Sequence, residues 1–250
     1  MEIWQMLLLM IVGSVAGFVN VMAGGGSLLT MPVMIFMGMN GPVANGTNRV
    51  ALTAQNISAV IGFLRKDLSE FKLSLTLSAC ALPGAEAGAY LGTKLDGVWF
   101  NRVLAGVMVA VIILMALKKR NKTDMQQCGK VSRLRVVIAH VLMVAVGVYG
   151  GFIQAGVGFI LMAILHRVLG LDLVRVNMHK VFIVGIYMIV ALAIFAYRGN
   201  VVWSAGLFLA VGNATGAWIG THFAVKKGEG IIKIVLYIAL VAMAIKLALT

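Results

Sequence analysis

Apolar runs separated by short polar breaks fill the chain from end to end. They occupy residues 4–22, 28–39, 42–64, 71–92 and 98–117, and then, beyond a charged connection, 136–151, 157–169, 174–197, 201–225 and 231–249. A helix needs about 20 apolar residues to cross a hydrocarbon core, so most of these runs predict spanning helices. The runs 28–39 and 157–169 are too short to span and predict half-helices. The first of them follows Ala23-Gly24-Gly25-Gly26-Ser27, set inside what is otherwise one hydrophobic stretch from Trp4 to Met39. Three successive glycines predict a helix break whose backbone is open to a ligand. Non-helical backbone at membrane depth survives only where protein or water supplies hydrogen-bond partners, so the break points to a site; the alternative is a glycine-rich packing contact between helices. A helix restarting near Ser27 would offer free N–H groups and the positive end of its dipole to an anion.

The second set of runs repeats the first at a constant offset of 132 residues. Gly24 and Gly26 match Gly156 and Gly158, Gly38 matches Gly170, Asn45 matches Asn177, Phe63 matches Phe195, and Lys66 matches Arg198. The spacing Gly84-x-x-x-Gly88 recurs as Gly216-x-x-x-Gly220. The predicted organisation is a first membrane repeat at 1–117, a basic loop at 118–135 and a second membrane repeat at 136–250. Duplicated halves with broken helices are a plan of secondary transporters, which bind substrate at the repeat interface. Basic residues favour inverted over parallel repeats. Of the 21 Lys and Arg, two lie in or at the mouth of segments; the inverted arrangement divides the rest 15 inside to 4 outside, the parallel one 12 to 7. The loop at 118–135 carries seven of them and is expected in the cytoplasm.

Composition agrees with an all-α polytopic membrane protein. Of 250 residues 61% are hydrophobic and 12% charged, and the mean hydropathy is +1.01. No stretch between apolar runs is long enough for a soluble domain. The net charge of +13 would suit nucleic acid in a soluble protein, but here it records topology, and no nucleic-acid partner is expected. The start of the chain lacks a basic region and cleavage site, so the first run is expected to be retained. Cys80 and Cys128 suggest neither a disulfide framework nor a metal site, and no cofactor is implied. His-Glu-x-x-His, Cys-x-x-Cys and Walker patterns are absent, which argues against an enzyme or an ATP-driven pump.

Polar residues at membrane depth usually mark a pathway. Asn45, Thr47, Asn48 and Arg49 open the third run of the first half, and Asn177, His179 and Lys180 open its counterpart. In each set an amide and a charge fall within one helical turn. Arg49 and Lys180 are the candidate anion partners, one holding two oxygens at once and the other supplying a compact charge; the alternative is that both snorkel to the headgroups. The expected binding set is Gly24, Gly25, Gly26, Ser27, Asn45, Asn48 and Arg49 with Gly156, Gly158, Asn177, His179 and Lys180. Gln55 and Asn56 are expected to bond neighbouring helices. Glu86, the only acidic residue well inside an apolar run, is either a proton-coupling group or a partner of Arg49 or Lys180. His140 is expected to be structural, and His166 and His222 interfacial.

The residues resemble the TauE/SafE family of sulfite and organosulfonate exporters. The resemblance rests on Gly17-Phe18 followed by Ala23-Gly24-Gly25-Gly26-Ser27-Leu28-Leu29-Thr30-Met31-Pro32, on Ala44-Asn45-Gly46-Thr47-Asn48-Arg49, and on Pro83-Gly84-Ala85-Glu86-Ala87-Gly88-Ala89 with Gly92. It covers nearly the whole chain and implies seven or eight transmembrane helices formed by duplication of a four-helix unit, with sulfur-containing anions as substrates. The odd number of crossings in each inverted half departs from that description. Gln154-Ala155-Gly156-Val157-Gly158-Phe159 stands where a second glycine triplet would be, so binding is expected to be asymmetric. The expected activity is secondary transport of a small anion, in the bilayer of a bacterial inner membrane, by a chain that is compatible with a homo-oligomer. The competing readings are an anion channel and an intramembrane enzyme or assembly subunit.

Overall fold

A computed structural model describes residues 2–65, 71–95, 97–117 and 132–224. The described residues form α1 (Ile3–Ala23), α2 (Ser27–Phe36), α3 (Gly41–Leu64), α4 (Phe71–Lys94), α5 (Gly97–Leu117), α6 (Arg133–Phe152), α7 (Val157–Ala163), α8 (Leu173–Tyr197) and α9 (Trp203–Ala224), with no strand among them. A short π-helical turn, Ile164–Val168, continues α7. Nine of the ten apolar runs thus correspond to observed helices; the tenth, at 231–249, lies outside the described residues, as does most of the basic loop. The ends of these helices follow local chemistry. Asp172 caps α8 by accepting hydrogen bonds from the backbone of Val174 and Arg175, both at 3.0 Å, and Ser132 caps α6. Pro42 sits in the first turn of α3, where its missing N–H costs nothing. Gly24 closes α1 in the left-handed conformation, φ 85°, and Gly156, which precedes α7, has φ 73°.

Helices α1, α6 and α8 are long and apolar enough to cross a membrane, and α2 is a shorter apolar helix. Their outward faces carry Leu7, Ile11, Val15, Val137, Val141 and Ile189 exposed, a surface that suits hydrocarbon rather than water. Inward, two close helix pairs frame the molecule. A Cβ at Gly88 of α4 would run into the backbone of Val148 and Phe152 on α6, and a Cβ at Gly216 of α9 would run into Ser14 and Phe18 on α1. Small residues let these backbones touch, which is how helices pack when lipid removes the hydrophobic incentive. Helices α3 and α8 cross between the pairs and run in opposite directions: Gly46 lies against Phe195, Arg49 against Met188, and Asn56 against Gly185.

Candidate functional site

The two helix breaks meet. A Cβ on Gly24 would lie 2.7 Å from the carbonyl carbon of Gly158, and one on Gly158 would overlap Gly24. Only glycine permits this approach, and at Gly24 it also relieves the left-handed backbone. A cavity of about 10 Å³, room for one water, lies beside the contact, lined by Asn20, Ser27, Asn56, Gln154, Gly158 and Lys180 with Val184 as an apolar wall, residues drawn from both halves of the chain. The expected restart of the helix falls where it was predicted, with α2 beginning at Ser27.

The two predicted cations are buried, Arg49 at 0% and Lys180 at 3% exposure, so neither snorkels to a headgroup. Each reaches across to the broken helix of the other half. Arg49 donates to the carbonyl oxygens of Gly150, at 3.3 Å, and Gly151, in the last turn of α6, and to Asn45 Oδ1 at 3.4 Å. Its guanidinium lies 4.4 Å from the centre of the Phe195 ring, and no carboxylate among the described residues pairs with it. Asn45 donates in turn to the Phe152 carbonyl at 2.8 Å. Lys180 Nζ donates to the carbonyls of Asn20, at 3.0 Å, and Val21, at 3.1 Å, in the last turn of α1, and to Asn177 Oδ1 at 2.8 Å. The final carbonyls of a helix have no partner within it and carry the negative end of its dipole. Inside a bilayer such ends are costly when left bare; here Arg49 and Asn45 satisfy the end of α6, and Lys180, itself held by Asn177, satisfies that of α1.

Of the expected binding residues, Gly158, Ser27 and Lys180 line the cavity, and Gly24, Gly25, Gly26 and Gly156 form the breaks beside it. Arg49, Asn45 and Asn177 belong to the caps; Arg49 does not line the cavity. Asn48 accepts from Thr30 Oγ1 at 2.7 Å and ties α3 to α2. His179 shares a 2.6 Å hydrogen bond with Ser74 of α4 through Nδ1, on the far side of α8 from the breaks. Asn56 donates to the Leu52 carbonyl of its own helix at 2.7 Å, not to a neighbour. Gln55 is buried and makes no side-chain hydrogen bond among the described residues.

Glu86 stands apart from this cluster. It is exposed on the outer face of α4 and pairs with neither cation in the observed set of contacts. The cause is helical phase: Gly84, Ala85 and Gly88 pack on α6 and Ala89 on Ala191 and Phe195 of α8, which turns residue 86 outward. Asn20 and Gln154, which are not in the expected binding set, also stand at the site. Asn20 Oδ1 accepts the Gly26 N–H at 3.2 Å, and Gln154 Oε1 accepts from the Tyr187 hydroxyl at 2.8 Å. Both are polar side chains at the edge of a break, the one signal that singles them out.

Comparison with known proteins places the chain among membrane transporters. It is 29% identical to the probable membrane transporter protein ORF9 of a Sinorhizobium species, over 96% of this chain and 90% of that one. It is 27% identical to the probable membrane transporter protein YfcA of Escherichia coli K12, over 96% and 88%, and 27% identical to a probable membrane transporter protein of Haemophilus influenzae, over 90% and 88%. The profile of the family described as sulfite exporter TauE/SafE matches residues 9–247, and the chain belongs to that family. No solved structure matches it.

Proposed function

We propose that this chain is a secondary carrier of small anions, sulfur-containing oxyanions or organosulfonates among them, which binds its substrate between the two helix breaks. The observation that carries this reading is the meeting of Gly24 with Gly158 beside a polar cavity that holds the Lys180 side chain. A desolvated ammonium and amide groups at the junction of two half-helices suit an anion that must leave water. The reading draws further support from the family description, which names sulfite.

Inverted repeats are part of the proposal. Left-handed glycines recur at the 132-residue offset, Gly24 with Gly156 and Gly38 with Gly170. The α1–α9 pair corresponds to α6–α4 at that offset, and the equivalent helices α3 and α8 run antiparallel. An axis lying in the membrane plane relates halves of that kind. Rocking of one half against the other would expose the cavity to each side in turn, and the crossed caps would hold the broken ends in both positions. The basic loop at 118–135 lies in the cytoplasm in this arrangement, and the membrane is the bacterial inner membrane.

Purified protein in proteoliposomes loaded with unlabelled sulfite tests the reading. A carrier takes up labelled sulfite by saturable exchange that depends on the internal anion. Anion currents without saturation or exchange would identify a channel instead.

A further inference from the structure

The amides around the cavity are held in fixed orientations. The backbone N–H of Gly26 can only donate, so Asn20 must turn its oxygen to it; the Asn20 amide nitrogen, with two N–H groups, is the end left uncommitted. Gln154 is 5% exposed and sits at φ 62°, a left-handed conformation that residues with a Cβ rarely adopt. Its oxygen accepts from Tyr187, which leaves its amide nitrogen as donor. One of these residues ends the α1 arm and the other precedes α7, so the two amides approach one cavity from opposite halves. The Lys180 ammonium is bonded to the carbonyl of Asn20 itself and sets a positive charge beside the first amide. A site built from neutral N–H donors near one charge recognises the oxygens of an anion directionally, which a bare cation does not.

We propose that Asn20 and Gln154 are specificity-determining residues of the anion site, whose amide nitrogens hold the oxygens of a small oxyanion between the two breaks. Asn20 also fixes the first break through Gly26, and Gln154 is itself fixed by Tyr187, so both donors are positioned before the anion arrives. The oxyanion is therefore held by two amides in the field of Lys180, while Arg49 stays with the end of α6. This proposal rests on the carrier reading above.

The two residues permit substitutions that remove the donor and keep the acceptor. Asn20→Asp retains an oxygen for the Gly26 N–H, and Gln154→Glu retains one for Tyr187; each replaces an NH2 by an oxygen that repels an anion. Gln154→Met keeps the approximate volume and removes the donor without adding charge, though it also removes the acceptor of Tyr187. The assay is exchange of labelled for unlabelled sulfite by the full chain in proteoliposomes, with elution profile and melting midpoint measured alongside. The expected result is a half-saturating sulfite concentration raised at least tenfold, about 1.4 kcal/mol, in Asn20→Asp and Gln154→Met, with the melting midpoint kept in Asn20→Asp and lowered in Gln154→Met, where the Tyr187 hydroxyl loses its acceptor. Wild-type half-saturation in both, or a lower maximal rate alone, overturns the assignment. Failure of the unaltered protein to exchange sulfite or a short sulfonate overturns the carrier reading itself.

Discussion

Replacing Arg49 by methionine separates a structural clamp from a substrate ligand. The guanidinium bonds the Gly150 and Gly151 carbonyls and stacks on Phe195 with no exposure to solvent. Methionine fills similar space but leaves two carbonyls at the end of α6 without partners, at about 1–3 kcal/mol each. Relief of the cost of burying a charge offsets part of this loss. The net expectation is destabilisation of about 2–5 kcal/mol. At about 2–4 °C per kcal/mol for a chain of this size, the melting midpoint in detergent falls by roughly 4–20 °C. Arg49→Lys retains the charge but loses the planar fork, so it should melt between the two. The measurement is thermal unfolding of the purified variants followed by loss of monodisperse protein, paired with sulfite exchange at a temperature where all are folded. An Arg49→Met protein that melts like wild type yet binds no anion would refute the clamp and return Arg49 to the substrate.

Lys180→Met should lower both the melting midpoint and the affinity for anion, because the ammonium caps α1 and the residue lines the cavity, where its charge acts on the anion; thermal unfolding and exchange read the two effects separately. Gly158→Ala should abolish exchange, since its Cβ overlaps Gly24, whereas Gly38→Ala meets no atom within 4 Å and should cost only about 1–2 kcal/mol of backbone strain; exchange rates of the two variants provide the check. In intact cells a membrane-impermeant thiol reagent should label Arg198→Cys from outside and Leu173→Cys only after permeabilisation; the reverse pattern contradicts the inverted orientation. Glu86→Gln, on the outer face of α4, should leave exchange and its response to a pH gradient within about twofold of wild type, as surface changes usually do. Loss of accumulation driven by a pH gradient in that variant would assign a coupling role to Glu86.

The helices were legible because bilayer thickness writes itself into the length of apolar runs, and the first break because three glycines cannot continue a helix in lipid. The second break was legible only through its 132-residue correspondence with the first, since Gly156 and Gly158 form no triplet. The burial of Arg49 and Lys180 followed from their place at membrane depth. Their partners did not, because the carbonyls they cap lie more than 100 residues away and backbone oxygens carry no residue identity. The exposure of Glu86 was not foreseen because depth says nothing of helical phase. The Gly84-Ala85 and Gly88-Ala89 pairs already mark the packed stripe of α4, and their four-residue period turns position 86 outward. Asn20 and Gln154 escaped notice because each lies at a helix end, where a polar residue ordinarily serves as a cap.

The claim on which the account turns is that the transported anion occupies the space between the two breaks, and Ser27 reports on that space directly. With Cys80 and Cys128 replaced by serine, Ser27→Cys would be reacted with a small membrane-permeant maleimide in proteoliposomes, with and without an organosulfonate that the protein exchanges. The anion is expected to slow labelling at residue 27 with the same half-saturation as exchange, and to leave a cysteine at exposed Ala79 unaffected. Labelling of residue 27 at an unchanged rate under saturating anion would contradict it.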